Sequence, residues 1–198
     1  MRISKEAKIK NRQTILEAAE KLFSDKGFEK TTTRDIAVAV GMAAGTMFNY
    51  FDSKETLAMT LVVDALRKGR MVYAQRLIGS EDLHEELFLL ISSELRALRP
   101  FRSYIGPVLE RTLSLFSKSA ISAAGDEARR GHLEIVENII AKHRSHSVPP
   151  FLSSSLYWSL YLGILAFWST DNSLNQEETL AMMDYSLRLF VRTIKGID

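Results

Sequence analysis

The sequence predicts an all-α protein, because apolar residues recur at intervals of three and four along most of its 198 residues. Only ten glycines and four prolines interrupt these periodic segments. No segment alternates apolar and polar residues over the length of a strand, so no sheet is expected. About nine helices are predicted, in a chain whose 46% apolar and 25% charged residues are typical of a soluble globular protein.

The first two helices are placed from the residues at their ends. Apolar residues at helical spacing over residues 9–23 predict an amphipathic helix, and Gly27 is expected to close it as a C-cap. Thr32 is placed as the N-cap of the second helix, with Asp35 three residues later as the acid of a capping box. Gly41 is expected to end this second helix.

The remaining helices follow from the same periodicity. They are predicted over residues 43–50, 54–75, 81–99, 101–117, 121–143, 152–169 and 176–195. Ser53 is expected to cap the fourth helix, whereas Pro107 predicts a kink or a break in the sixth.

Composition excludes several classes of protein. The chain has no cysteine, which excludes disulfides, thiolate metal sites and thiol chemistry. The first twelve residues are charged and lack an apolar core, so neither a signal peptide nor a transit peptide is expected. The longest apolar stretch, residues 156–168, is expected to be too short to span a bilayer. A cytoplasmic protein without a membrane partner is therefore predicted.

Charge is distributed unevenly along the chain. Residues 1–54 contain ten Lys and Arg against seven Asp and Glu, whereas residues 55–198 contain sixteen against seventeen. A basic end on a near-neutral body suits a polyanion such as DNA. A solvated charged terminus accounts for the same residues equally well, so charge alone leaves both interpretations open.

Two short predicted helices, 33–40 and 43–50, are joined by a glycine turn and have the spacing of a helix-turn-helix. Met47 and Phe51 are four residues apart and can point inward, which turns the small and polar residues of the second helix outward. There Thr46 can meet a thymine methyl group or a base edge. A polar helix hairpin that binds nothing has the same spacing and is the alternative.

The residues in and around this hairpin carry a family resemblance. Residues 27–51, GFEKTTTRDIAVAVGMAAGTMFNYF, are followed by SKETL at 53–57, and together they closely resemble the DNA-binding domain of TetR-family repressors. The resemblance covers about residues 9–69, in which turns, caps and core positions agree together. It implies a DNA-binding domain over residues 1–54 and a helical regulatory and dimerisation domain over residues 55–198.

The resemblance also implies which residues contact DNA. They are Thr33, Arg34, Ala44, Gly45, Thr46, Phe48, Asn49, Tyr50 and Lys54. Residues 44–46 hold the positions that read base edges, and Lys54 holds that of a phosphate contact. The family usually has tyrosine where this chain has Phe48, and the neighbouring small residues lack side-chain donors. Readout through DNA shape and backbone is therefore expected to matter more than usual.

The last two predicted helices are apolar on two faces, so each needs two neighbours, and one neighbour can be a second subunit. The candidate interface residues are Leu156, Leu160, Gly163, Phe167, Leu180, Met183, Leu187 and Phe190. A four-helix bundle of two chains would bury both faces and suit a palindromic operator. Burial of both faces inside one monomer is the alternative.

Residues of about 80–145 form the expected regulatory core, where the resemblance implies a small-molecule effector. Candidate ligand residues are Arg96, Tyr104 and His132. Each has a structural alternative: a solvated cation, an aromatic core residue and a hydrogen-bonded core histidine. His143 and His146 lack a third ligand nearby, so no metal site is expected, and no cofactor is implied.

No sequence feature points to an enzyme, because nucleophile-elbow, phosphate-loop, dinucleotide and zinc-protease motifs are all missing from the sequence. The sequence therefore predicts a homodimeric repressor that an effector releases from its operator. A DNA-bound architectural or partner-recruiting protein of the same fold is the alternative.

Overall fold

The computed structural model describes residues 4–113, 123–143 and 148–196. Over these residues the chain forms nine α-helices, two short 3-10 turns and no strand, which confirms the predicted all-α class. The helices are α1 (Lys5–Lys26), α2 (Thr33–Ala39), α3 (Ala44–Phe48), α4 (Lys54–Arg76), α5 (Leu83–Leu98), α6 (Arg102–Leu113), α7 (Ala123–Lys142), α8 (Pro150–Thr170) and α9 (Glu177–Lys195).

The chain divides into two compact units. Unit 1 comprises Met1–Asp64 and Pro100–Asp126, and unit 2 comprises Ala65–Arg99 and Glu127–Asp198. The predicted boundary after residue 54 differs from this division, because unit 1 also contains the start of α4 and the whole of α6.

Helix α6 belongs to unit 1 through aromatic packing. The ring of Tyr104 lies 5.3 Å from that of Phe23 in α1 and 6.4 Å from that of Phe28. Tyr104 is also only 2% exposed, although the sequence placed it in the regulatory core. The spacing of aromatic residues predicts that Tyr104 is buried, but it does not identify the residues that cover it. The contact with Phe23, some eighty residues earlier in the chain, could therefore not be predicted from the sequence.

The predicted helix ends in unit 1 are confirmed. Gly27 has a φ of 84° and its N–H donates to the carbonyl of Phe23, which closes α1. Thr32 and Asp35 form both hydrogen bonds of the capping box at the start of α2. The side chain of Ser53 accepts a hydrogen bond from the Thr56 N–H at the start of α4.

Two predicted boundaries need correction. Helix α5 begins at Leu83 with Asp82 as its N-cap, and Glu81 lies outside it, where its carboxylate accepts from two loop N–H groups. Pro107 was expected to kink or break this part of the chain, and helix α6 continues through it without a break. Burial of Ile105 and Val108 on either side of the proline favours the helix over a break.

Helix α8 is longer than the sequence analysis allowed. Its 21 residues are long and apolar enough to cross a membrane by length and composition alone, which corrects the expectation that the stretch is too short. One face of α8, which includes Tyr157, Tyr161 and Trp168, is buried inside unit 2. The apolar composition of this face is therefore explained by the core of the protein itself.

Asp171, between α8 and α9, is expected to make stability depend on acidity. Its carboxylate accepts hydrogen bonds from Ser173 and from the backbone and side chain of Thr179, and these bonds hold its pKa far below 3.8. A lowered carboxyl pKa stabilises the fold above the unfolded-state pKa, and this stabilisation is lost as pH falls.

Urea unfolding of the wild-type chain and of Asp171→Asn, repeated from pH 7 to pH 2, checks this expectation. The difference in unfolding free energy should be largest near neutral pH and should shrink as pH falls below about 3.8. A difference that stays constant over the whole range would contradict it.

Candidate nucleic-acid interface and regulatory core

Helices α2 and α3 are anchored by their apolar sides. Ile36 and Met47 are 0% exposed and Phe51 is 3% exposed, so these side chains lie in the core of unit 1. The other face of α3 is consequently turned to solvent, where the Phe48 side chain is 47% exposed and Asn49 is also exposed. The predicted inward and outward faces agree with this arrangement.

The predicted DNA-contact residues all belong to unit 1. Four are exposed: Arg34, Gly45, Phe48 and Asn49. Five are half-buried: Thr33, Ala44, Thr46, Tyr50 and Lys54. Arg34 lies in the first turn of α2 and has no hydrogen-bond or ion-pair partner among residues 4–113, 123–143 and 148–196. Its guanidinium is therefore available to an anion outside the chain.

Tyr50 is held by a residue that the sequence analysis did not single out. The Asn11 side-chain amide in α1 donates a hydrogen bond of 3.0 Å to the Tyr50 hydroxyl oxygen. The hydroxyl proton of Tyr50 is thus left to donate elsewhere, as a phosphate contact requires. Local periodicity carries no signal for this pair, because the two residues are 39 positions apart.

Lys54 faces the protein itself. Its ammonium Nζ donates to the carbonyl oxygens of Phe28 at 2.9 Å and of Glu29 and Thr31 at 3.3 Å. It also lies 4.4 Å from the centroid of the Phe28 ring. These contacts account for all three ammonium protons, which the predicted phosphate contact had assumed to be available.

Tyr104, a candidate effector residue, lies in an aromatic cluster of unit 1. Its ring packs near Phe23, Phe28 and Phe101, and burial raises the pKa of its hydroxyl. Its hydroxyl has no hydrogen-bond partner among the residues that the structure describes. The aromatic-core alternative therefore describes its surroundings.

His132, a second candidate, lies in a buried polar network of unit 2. The residue is 1% exposed, with Nδ1 3.1 Å from a Glu94 carboxylate oxygen and Nε2 3.1 Å from the Tyr157 hydroxyl. Glu94 also accepts from Arg70 Nε at 2.8 Å and from the Tyr161 hydroxyl at 2.8 Å. Both ring nitrogens are engaged, as in the core-histidine alternative.

The charge of Glu94 is stabilised by its neighbours. Burial by itself raises the pKa of this carboxyl, but the charges and hydrogen bonds of His132 and Arg70 outweigh burial and lower it below 4.5. Three of the four helices that supply this network, α4, α5 and α7, approach closely. A side chain at Gly69 in α4 would come within 2.8 Å of the Glu94 backbone in α5. In turn, Arg70 donates to the Ala128 carbonyl of α7.

A second buried carboxylate in unit 2 is satisfied in the same way. Glu86 accepts from Lys142 Nζ at 2.8 Å and from the Tyr73 hydroxyl at 2.9 Å, and it lies 2.6 Å from His143 Nε2. Burial raises the pKa of Glu86, but the hydrogen bonds from Lys142 and His143 lower it below 4.5. His146 lies outside the described residues.

Arg96, the third candidate effector residue, lines an open groove of about 690 Å³ in unit 2. Phe88, Leu89 and Leu180 supply apolar lining, and Arg76 is a second arginine on the groove wall. Neither arginine has an ion-pair or hydrogen-bond partner within the described part of the chain. Leu180, predicted at the subunit interface, thus lies in this groove.

The predicted subunit interface is only partly exposed. On α8, Leu156 and Phe167 are 47% and 36% exposed, Leu160 and Gly163 are half-buried, and these four residues share one face. On α9, by contrast, the predicted interface residues Met183, Leu187 and Phe190 are at most 5% exposed. That assignment is corrected, because these three side chains fill the core of unit 2.

Comparison with known proteins identifies a family and relatives that this chain resembles. A family model described as bacterial regulatory proteins, tetR family, matches residues 15–59. The HTH-type transcriptional regulator YfiR of Bacillus subtilis is 31% identical over 137 residues, which are 67% of this chain. The matched region spans 61% of the length of YfiR.

Two solved structures share the fold over nearly the whole chain. FadR of Thermus thermophilus, a TetR-family transcriptional repressor in complex with lauroyl-CoA, has a TM-score of 0.73 at 21% identity and covers 91% of this chain and 93% of its own. FadR of Bacillus subtilis, in complex with stearoyl-CoA, has a TM-score of 0.63 at 19% identity and covers 90% and 97%. The chain described here belongs to the TetR family of bacterial regulatory proteins.

Proposed function

We propose that this protein is a cytoplasmic transcriptional repressor that binds a palindromic operator as a homodimer. The observation that carries the proposal is the outward face of α3. Phe48 and Asn49 project from it into solvent, whereas Met47 holds the helix against the core. Nearly half of the Phe48 side chain is exposed, and its ring suits a thymine methyl group or a deoxyribose.

Dimerisation is supported by the apolar face of α8. Leu156, Leu160, Gly163 and Phe167 lie on this face. Apart from the neighbouring backbone of α8, a Cβ at Gly163 would meet no atom of the described residues within 4 Å. Because Met183, Leu187 and Phe190 of α9 are buried, we propose that α9 contributes its exposed Tyr185 to the dimer interface instead. A symmetric pair would set two recognition helices about 34–36 Å apart, one turn of DNA.

The proposed effector is an anionic amphiphile such as an acyl-CoA. Two proteins of this fold are described as complexes with lauroyl-CoA and stearoyl-CoA. In this chain, the groove contains Arg76 and Arg96 beside an apolar surface. Its lining also includes the carboxylates of Glu81, Glu85 and Asp184, which accept hydrogen bonds from other groups of the chain. Effector and operator would then oppose each other, each lowering the affinity of the protein for the other by the same factor.

Selection of random duplex DNA by the purified protein, followed by sequencing of the bound fraction, tests the proposal. A palindromic motif is expected, and acyl-CoA should release the selected duplex. An effector that arrives with the purified protein is removed by unfolding, washing and refolding. If the refolded dimer then enriches no motif, sequence-specific repression is contradicted. Many dispersed genomic sites without a shared motif would favour the architectural alternative.

Arg34→Met is expected to weaken binding of the selected duplex and to reduce its salt dependence. Loss of one phosphate contact lowers the slope of log affinity against log salt by about 0.9. Anisotropy titrations at several salt concentrations measure this slope. Arg67→Met is the matched control, because the Arg67 side chain is 62% exposed in unit 2 and its removal should leave the slope unchanged. Equal slopes for all three proteins would exclude a phosphate contact at Arg34.

A further inference from the structure

We propose that Lys54 is a positioning residue of the DNA-binding unit and does not contact phosphate. Its ammonium group ties the first residue of α4 to the connection between α1 and α2. This inference rests on the proposed DNA-binding function, and it assigns to Lys54 a role opposite to the one that its place in the sequence suggests.

The geometry around the ammonium group is a closed set of contacts. Three carbonyl oxygens, those of Phe28, Glu29 and Thr31, lie within 3.3 Å of Nζ, and an ammonium group has three protons to donate. The Phe28 ring lies on a further side, with its centroid 4.4 Å away. A phosphate oxygen could bind Nζ only by displacing one of these carbonyls.

The connection that supplies the carbonyls is itself held in place. Thr31 is 0% exposed, and its hydroxyl lies 2.8 Å from the Gly27 carbonyl oxygen and 3.2 Å from that of Leu22. The Thr31 N–H in turn donates to the Phe28 carbonyl, which closes a tight turn. These hydrogen bonds fix the backbone of the turn. Its carbonyl oxygens are therefore held in place around the compact ammonium group of Lys54.

Lys54 joins the N-terminus of α4 to the segment that precedes the N-terminus of α2, and both lie beside the proposed DNA-binding helices. Thr32, the residue after the carbonyl cluster, is the N-cap of α2, the helix that carries Arg34. Ser53, the residue before Lys54, caps α4 and closes the segment that follows α3. By fixing these two caps relative to each other, Lys54 sets the placement of α2 and α3 for binding.

Lys54→Met, Lys54→Arg and Arg34→Met are compared on the selected duplex at several salt concentrations. We expect Lys54→Met to weaken binding about tenfold, because charged hydrogen bonds that orient the helices are lost. Its salt slope should equal that of the wild type, whereas Arg34→Met should lower the slope by about 0.9. Lys54→Arg should not restore affinity, because a planar guanidinium cannot direct three protons at one cluster of carbonyls.

Thermal unfolding in the absence of DNA adds a second readout. Both Lys54 variants should melt below the wild type, whereas Arg34→Met should melt with it. If Lys54→Met does not fold at the assay temperature, Lys54→Arg carries the test, since it keeps the charge and the aliphatic stem.

Three results would overturn the inference. A slope lowered by about one in Lys54→Met would make Lys54 a phosphate contact, as would wild-type affinity in Lys54→Arg. Wild-type affinity in Lys54→Met would remove any role. If the wild-type protein selects no duplex, the proposed function fails instead, and the melting temperatures report that failure separately from the Lys54 contacts.

Discussion

Arg70→Met is expected to lower the free energy of unfolding by about 3 kcal/mol or more, because it leaves a buried carboxylate without its arginine partner. The Glu94 side chain is 0% exposed and lies 2.8 Å from Arg70 Nε. A charge held in such surroundings depends on its partners, since water cannot reach it. Urea unfolding followed by circular dichroism measures the change.

A surface arginine provides the matched control. Arg67 lies in the same helix, and its Nη2 is 3.7 Å from a Glu127 carboxylate oxygen, but both side chains are more than 60% exposed. Arg67→Met should therefore change the unfolding free energy by about 1 kcal/mol at most. Equal losses for the two variants would show that burial of Glu94 does not set the effect.

The double variant Arg70→Met/Glu94→Gln separates lost pairing from lost packing. A neutral amide in place of the Glu94 carboxylate has no charge to compensate, and it can still bond to His132 and Tyr161. The double variant should therefore be more stable than the sum of the single losses predicts. Strict additivity would mean that the Arg70 charge and the Glu94 charge are not coupled.

The same pair also predicts an acid dependence. Because the pKa of Glu94 is lowered from 4.5, its charged contacts contribute stability above that pH and lose it as pH falls through the folded-state pKa. The wild-type chain should thus approach the stability of Arg70→Met in acid. A difference that does not shrink as pH falls would indicate that Arg70 contributes through contacts that do not depend on the Glu94 charge, such as its hydrogen bond to the Ala128 carbonyl.

Local signals in the sequence were sufficient for the all-α class and for the caps that begin or end α1, α2 and α4. The C-cap at Gly27 and the Thr32–Asp35 capping box each depend on residues at most four positions apart. A short stretch of sequence is therefore enough to predict both. The outward face of α3 follows from periodicity in the same way. These features place the candidate DNA-binding surface without any knowledge of tertiary contacts.

Contacts between distant segments were not predictable in this way. The Glu94 network joins residues from four helices, and each of its members alone resembles an ordinary surface charge, a core aromatic or a lone histidine. Lys54 illustrates the same limit at the binding surface. A lysine at a helix start suits phosphate, and only the converging carbonyls of the α1–α2 connection reveal a different partner.

The periodic apolar residues of α9 show that periodicity does not identify the surface that covers a helix. Met183, Leu187 and Phe190 repeat at helical spacing, which predicts burial but does not say whether the same chain or a second chain covers them. Tyr157 of α8 lies 5.6 Å from the Phe190 ring, so the same chain does. The apolar residues left for a partner are then the exposed ones, namely the face of α8 and Tyr185 of α9.

Leu156→Glu is therefore expected to dissociate the proposed homodimer and, with it, to abolish tight binding of a palindromic operator. Leu156 is 47% exposed in the monomer, so the substitution should leave folding nearly unchanged. In a symmetric interface each substitution appears twice, which places two uncompensated carboxylates in one apolar contact. We expect dimer affinity to fall by about 100-fold or more.

Met71→Glu is the control for this variant. Met71 also belongs to unit 2 and is 60% exposed, but it lies in α4 and not on the α8 face. It should sediment and bind operator like the wild type. Analytical ultracentrifugation gives the oligomeric state, and operator titration gives the affinity.

If Leu156→Glu stays dimeric, the α8 face is not the interface. If it becomes monomeric yet keeps full affinity, operator recognition does not require two coupled recognition helices, since a single helix-turn-helix would then supply all the binding energy.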